Sequence, residues 1–170
     1  MRSADLHAII HCAAVSDYGA GGIYAPAPGT RFQLESGRWM TDDHAAPTLL
    51  DRQAGKVKSD EPELWLRLVR MPKLIDRILS DWNFEGVLVK FKLEVGISDA
   101  RLLEIAEQSR LHSHADLMVA NTLEGSESWA YVGPLAGQYK RVPRAELPWQ
   151  LISAIEEMQK SKVQSPKSKD

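Results

Sequence analysis

The sequence predicts an α/β domain of three layers, with a mostly parallel sheet that a β-hairpin closes. Three observations predict it. Strand-like apolar runs alternate with helical periodicities, the alternation runs strand, helix, strand, helix, strand, and two short aromatic strands follow near the end. Such an order describes βαβ units, whose parallel strands are covered by helices on both faces.

Residues 7–15, "HAIIHCAAV", form a continuous apolar run and predict a strand buried on both faces. From Gly19 to Gly55 the chain is rich in Gly and Pro and predicts a long functional or mobile loop, with a small hairpin in "RFQLESGRWM" around Ser36-Gly37. In "ELWLRLV" Leu64, Leu66 and Leu68 alternate with Trp65, Arg67 and Val69, which is the period of a strand. Pro72 then opens "PKLIDRILSDW", where Leu74, Ile75, Ile78, Leu79 and Trp82 fall at helical spacing. "GVLVKFKLE" predicts a strand, and "SDARLLEIAEQSRL" a helix that begins at a Ser-Asp cap. "ADLMVAN" predicts a further buried strand, "SWAYVG" and "QYKRV" the closing hairpin, and "PWQLISAIEEMQK" the last helix. Residues 1–160 are expected to form a single domain with 19–55 as a loop insertion, and 161–170 a disordered Lys/Ser-rich tail.

The bulk numbers exclude several classes. The 170 residues are 44% hydrophobic and 26% charged, as in an ordinary globular protein with a core of its own. A net charge of −2 exerts no global pull on nucleic acid or an acidic membrane, and no apolar run approaches the roughly 18 residues of a bilayer span. Asp5, His7 and His11 interrupt the only stretch that resembles a signal peptide. One cysteine, Cys12, rules out an internal disulfide, and the cytoplasm is the expected location.

Parallel sheets bind ligands beyond the carboxyl ends of their strands. Three predicted strands end in polar residues there: Ser16-Asp17, Lys92 to Glu94, and Asn121. A dinucleotide fingerprint starting at Gly19 would need glycine where Tyr24 stands. A short-chain dehydrogenase would need lysine four residues after a tyrosine, and those places hold Gly22, Pro28, Leu135 and Pro143. Hydride transfer is therefore rejected. His112 and His114 sit at a predicted helix end and are read as solvent-facing, while His11 and Cys12 are read as packing residues.

Read onward from Asp17, the pieces "AAVSDY", "GKVKS", "MPKLI", "VKFKLE" and "DLMVANTLE" stand in an order that closely resembles phosphopantothenate–cysteine ligase, or phosphopantothenoylcysteine synthetase, of coenzyme A biosynthesis. "FKLE" and "VAN-x-LE" are similar to its eukaryote-type branch, and the likeness spans about residues 8–158. The resemblance implies a Rossmann-like fold and a homodimer. It also implies a two-step ligation in which the phosphopantothenate carboxylate attacks the α-phosphate of CTP or ATP, with Mg2+, and cysteine then displaces the nucleotide. The family's N-terminal triphosphate-binding segment has no counterpart in these residues. The chain is thus expected to be either a fragment or one part of a split enzyme whose N-terminal half is a separate polypeptide. No flavin is implied. A non-catalytic nucleotide-binding homologue or regulatory subunit is the alternative.

By the same resemblance Lys56 is the catalytic residue, its ammonium facing charge that develops on the phosphate. Ala13, Ala14, Asp17, Val57, Lys58, Pro72, Lys73, Leu74, Ile75 and Phe91 would complete the nucleotide site, and Asn121 would hold substrate. Asp17 would act through the ribose or a metal ion, or else accept N–H groups of the turn that follows it. Where bacterial members of the family carry two helix lysines, this chain has Ser109 and Ser113.

Overall fold

A computed structural model describes residues 6–53 and 60–164 of the chain. It divides into two compact units, Met1–Ala14 with Lys73–Asp170, and Val15–Pro72.

The first unit is built on a five-stranded sheet, with β1 (Ala8–His11), β7 (Val87–Glu94), β8 (Leu117–Thr122), β9 (Trp129–Leu135) and β10 (Gln138–Pro143) side by side in that order. The three strands β1, β7 and β8 run parallel, and β9 and β10 add the antiparallel hairpin that the sequence predicts. The alternation of side chains explains the layers. Val87 and Val89 of β7, Leu117 and Val119 of β8, and Ala130 and Val132 of β9 face one way, onto Leu147, Leu151, Ala154 and Ile155 of α3 (Leu147–Gln164). The other face carries Leu88, packed with Ile75 and Ile78 of α1 (Leu74–Ser80), and Met118 and Ala120, packed with Leu102 and Ala106 of α2 (Asp99–His112). Ser98 caps α2 as expected, its hydroxyl accepting the Arg101 N–H.

β1 is shorter and less buried than its apolar run suggests. It lies at the sheet edge, pairs with β7 only over Ala8–His11, and leaves Ile10 41% exposed. Cys12 is exposed rather than packed, and His11 is only half-buried. The aromatics of the hairpin, Trp129, Tyr131 and Tyr139, are partly buried against α2 and its cluster. Tyr131 donates its hydroxyl to Asp99 (2.8 Å) and Tyr139 to Glu107 (2.8 Å).

Glu107 also receives both forks of the Arg110 guanidinium at 2.8 and 2.6 Å. These bonds hold its carboxyl at about 2, against the opposing effect of burial and with help from Tyr139, below an ordinary value of 4.5. Because the folded value is the lower one, the stabilisation is present above about pH 4.5 and is lost as pH falls toward 2. Glu107→Gln should therefore flatten the fall of the urea midpoint across that acid range. Parallel curves for variant and wild type would remove the cluster from acid stability.

In the second unit the segment expected to be a loop is mostly strand. β2 (Tyr18–Pro26) pairs antiparallel with β5 (Leu49–Asp51) on one side and β6 (Trp65–Arg70) on the other. The glycines that disguise β2 are what allow it. A side chain at Gly21 would stand 2.5 Å from a Val69 methyl, and one at Gly22, whose φ is +154°, would meet the Tyr24 ring. The register with β6 shifts between Ala20 and Gly22, the mark of a bulge. β3 (Thr30–Gln33) and β4 (Arg38–Thr41) form the expected hairpin, with Gly37 in the left-handed region at φ 64°. Phe32, Trp39 and Trp65 cluster with ring centres 4.7–5.2 Å apart and give this unit its aromatic centre.

Candidate functional site

Parallel pairing sets the functional edge of the first unit. In β7 and β8 the pairs Phe91 with Val119, Leu93 with Asn121 and Glu94 with Thr122 bring the two carboxyl ends level. The rim so formed is polar. Lys92 and Glu94 make an ion pair at 2.8 Å, Asn121 is half-buried, and the Glu124 carboxylate accepts the Gly96 N–H at 3.0 Å. Backbone N–H groups, its own and that of Gly96, hold Glu124 below its ordinary range.

The predicted residues divide between the units. Ala13, Ala14, Lys73, Leu74, Ile75, Phe91 and Asn121 belong to the first, and Asp17 and Pro72 to the second. Lys56, Val57 and Lys58 lie outside the described residues. Ala13 and Ala14 are exposed just past β1. Phe91 is half-buried and packs toward the α3 side of the sheet, among the core cluster of Val89 and Val119. Ile75 is buried against Leu88, whereas Leu74 is 42% exposed. Asp17 does not terminate a strand. β1 ends at His11, and Asp17 occupies an exposed bend before β2, where its carbonyl accepts the Met71 N–H at 2.9 Å. Among the described residues no three His, Cys, Asp or Glu side chains gather to hold a metal ion.

Sequence reasoning missed Lys90. It sits on the inward face of β7 beside Leu88 and is only 8% exposed. Its Nζ donates to the Ser109 carbonyl and to the Ser113 hydroxyl, each at 3.0 Å. The positive charge that the resemblance would place on the helix at these two positions is met here by a lysine from the strand. Burial pushes the Lys90 ammonium below its ordinary range, and the charge of Asp76 acts against that. The signal was present in "VLVKFKLE". Strict alternation puts Lys90 on the same side as Leu88, so a charge had to lie under the helices.

A cavity of about 610 Å³ lies elsewhere, lined by Leu6, His7, Glu85, Gly86, Glu156 and Lys160 among others. It opens at the amino ends of β1 and β7, away from the rim where parallel sheets hold ligands.

No family model matches the chain. It is 37% identical over 108 residues to the coenzyme A biosynthesis bifunctional protein CoaBC of Thermococcus kodakarensis, a match that takes in 61% of this chain and 26% of that protein. The chain thus spans about a quarter of this relative's length. In fold it is similar to a DNA/pantothenate metabolism flavoprotein from Streptococcus pneumoniae, with a TM-score of 0.64 and 24% identity over 92% of this chain and 66% of that one. No helix among the described residues is long and apolar enough to cross a membrane. Over the matched segment the chain is therefore similar to a coenzyme A biosynthesis protein, in keeping with the resemblance that its ordered motifs carry.

Proposed function

We propose that the chain takes part in joining phosphopantothenate to cysteine, by way of an acyl-nucleotidylate made from CTP or ATP. The observation that carries this reading is the 37% identity over 108 residues with a coenzyme A biosynthesis protein. The polar rim at the ends of β7 and β8 supports it, since anionic substrates need such an edge.

In the first step a carboxylate oxygen of phosphopantothenate attacks the α-phosphate, and pyrophosphate leaves with its bonding electrons. In the second the cysteine amine attacks the activated carbonyl, loses a proton, and expels the nucleotide monophosphate. Both partners of the first step are anions, so the protein's task is to offset charge and hold the atoms in line. Lys56 and Lys58 would meet the triphosphate. Lys73, Leu74, Ile75 and Phe91 would line the nucleotide, with Ala13, Ala14, Val57 and Pro72 allowing close approach, and Asn121 would hydrogen-bond the pantothenate part. Mg2+ fits here only as part of the nucleotide complex, because Asp17 is a single carboxylate. Such ions are commonly held by one or two carboxylates and the substrate's own phosphates. When bound it would neutralise phosphate charge. The enzyme would be a homodimer in the cytoplasm.

Isothermal titration of the chain with CTP-Mg2+ and ATP-Mg2+, alone and with a candidate N-terminal half, tests this reading. Binding of one nucleotide, with pyrophosphate released when phosphopantothenate is added, is the expected result. Binding without pyrophosphate release would favour a non-catalytic or regulatory homologue. No binding in either format would end both readings.

A further inference from the structure

We infer that Lys90 is a positioning residue: its buried ammonium, held by Ser109 and Ser113 of α2, is the counter-charge that keeps Asp76, and with it helix α1, seated on the sheet.

The argument begins with what α1 lacks. It is seven residues long, and its N-cap position, Lys73, offers no side-chain oxygen to the first turn. So short a helix has little stability of its own and depends on its docking. Ile75 and Ile78 supply an apolar contact with Leu88. Asp76, between them in sequence, adds a carboxylate whose side chain is 31% exposed but whose Oδ1 is buried and has no hydrogen-bond partner among the described residues. A carboxylate oxygen turned inward without a hydrogen bond is costly unless a nearby opposite charge offsets it.

The charges around it can be named. His112 of α2 brings Nε2 to 3.5 Å from Asp76 Oδ2, but its side chain is 72% exposed, and it is a cation only when protonated. Lys73 and Lys92 are further cations near Lys90. Of these groups Lys90 alone is buried, so its field is the least screened by water. Its two hydrogen bonds go to neutral oxygens of α2, which fix the ammonium in place without cancelling its charge. Asp76 is the carboxylate whose charge acts on it. One nitrogen thus bonds the strand to α2 and carries its charge toward α1. The consequence for nucleotide binding rests on the reading above that Lys73, Leu74 and Ile75 line the nucleotide site.

Hydrogen exchange on the whole free chain tests the inference without any ligand. Lys90→Met keeps the length of the side chain and removes its charge. It should speed exchange of the α1 amides (74–80) by about tenfold or more and leave those of α3 unchanged. Asp76→Asn in that background should restore most of the lost protection, since the orphaned charge is then gone. A merely space-filling Lys90 would leave α1 protected in the single variant, or would give additive losses in the double, and either outcome overturns the proposal. If Lys90→Met alone fails to fold, recovery of folding by the double variant supports the proposal and failure of the double overturns it. Titration with CTP-Mg2+ and ATP-Mg2+ separates the two readings. Wild-type protein that binds neither nucleotide but shows the exchange pattern keeps the clamp and loses the ligase reading. About tenfold weaker binding by Lys90→Met, reversed in the double variant, supports both.

Discussion

Lys56→Ala is expected to slow pyrophosphate release by about 10²–10³-fold, with the urea midpoint unchanged, when the chain is assayed with phosphopantothenate, nucleotide and a candidate N-terminal half. The size follows from the task proposed for it. As the carboxylate oxygen closes on the α-phosphate, negative charge accumulates on the non-bridging oxygens, and a fixed ammonium stabilises that charge more than it stabilises the ground state. Removing one such donor costs what the loss of an oxyanion-hole group costs. Because the benefit is confined to the transition state, kcat should fall while the nucleotide Kd changes little. Lys56→Arg should recover only part of the rate, since a planar guanidinium keeps the charge but not its position. Turnover equal to that of wild type in the alanine variant would remove Lys56 from the mechanism.

Asp116→Ala should destabilise the fold by about 2–4 kcal/mol, the largest effect expected from a residue outside the proposed site. Asp116 exchanges two bonds with Leu88. Its N–H donates to the Leu88 carbonyl and its Oδ2 accepts the Leu88 N–H, at 2.9 and 2.8 Å. Leu88 is 0% exposed, so losing the carboxylate leaves a buried N–H without an acceptor. The same carboxylate pairs with Lys162 at 2.8 Å and so fixes the end of α3, though the lysine's 41% exposure keeps that part small. Asp116→Asn retains an acceptor for Leu88 and should cost only about 1 kcal/mol. Urea unfolding of both variants checks the order, and equal losses would mean that the ion pair, not the backbone bond, dominates.

The same sequence window supplied both a readable strand and an unread motif. "DLMVAN" announces β8 through its apolar continuity, yet the role of Asp116 depends on Leu88, far away in the chain. Regular elements were legible wherever the period was clean, as in β6, α1, β7 and α2. Ser98 was legible because a cap is a local device. β2 was not, because glycine reads as a turn residue when alone, while here Gly21 makes room for Val69 of β6 and Gly22 for the Tyr24 ring of its own strand. β1 was over-extended because apolar residues after His11 look the same whether or not a neighbouring strand reaches them. At the site, Asn121 and the Lys92–Glu94 end of β7 could be placed from strand ends alone. Lys90 called for attention to its register position, and Asp76 for knowledge of which residues of α2 lie beside α1.

The pairing of β1 with β7 has a consequence for biosynthesis. Ala8 adds beside Val87, so β1 finds its partner only after 79 further residues have been translated. At about 5–20 residues per second that is a wait of roughly 4–16 s. During it Ile9 and Ile10 have no sheet to cover them, whereas α2, β8 and the β9–β10 hairpin can assemble from near neighbours as they emerge. Docking of β1 therefore belongs at the end of folding of this unit, and the nascent chain stays open to chaperones and to misassociation around Ile9 and Ile10 until then.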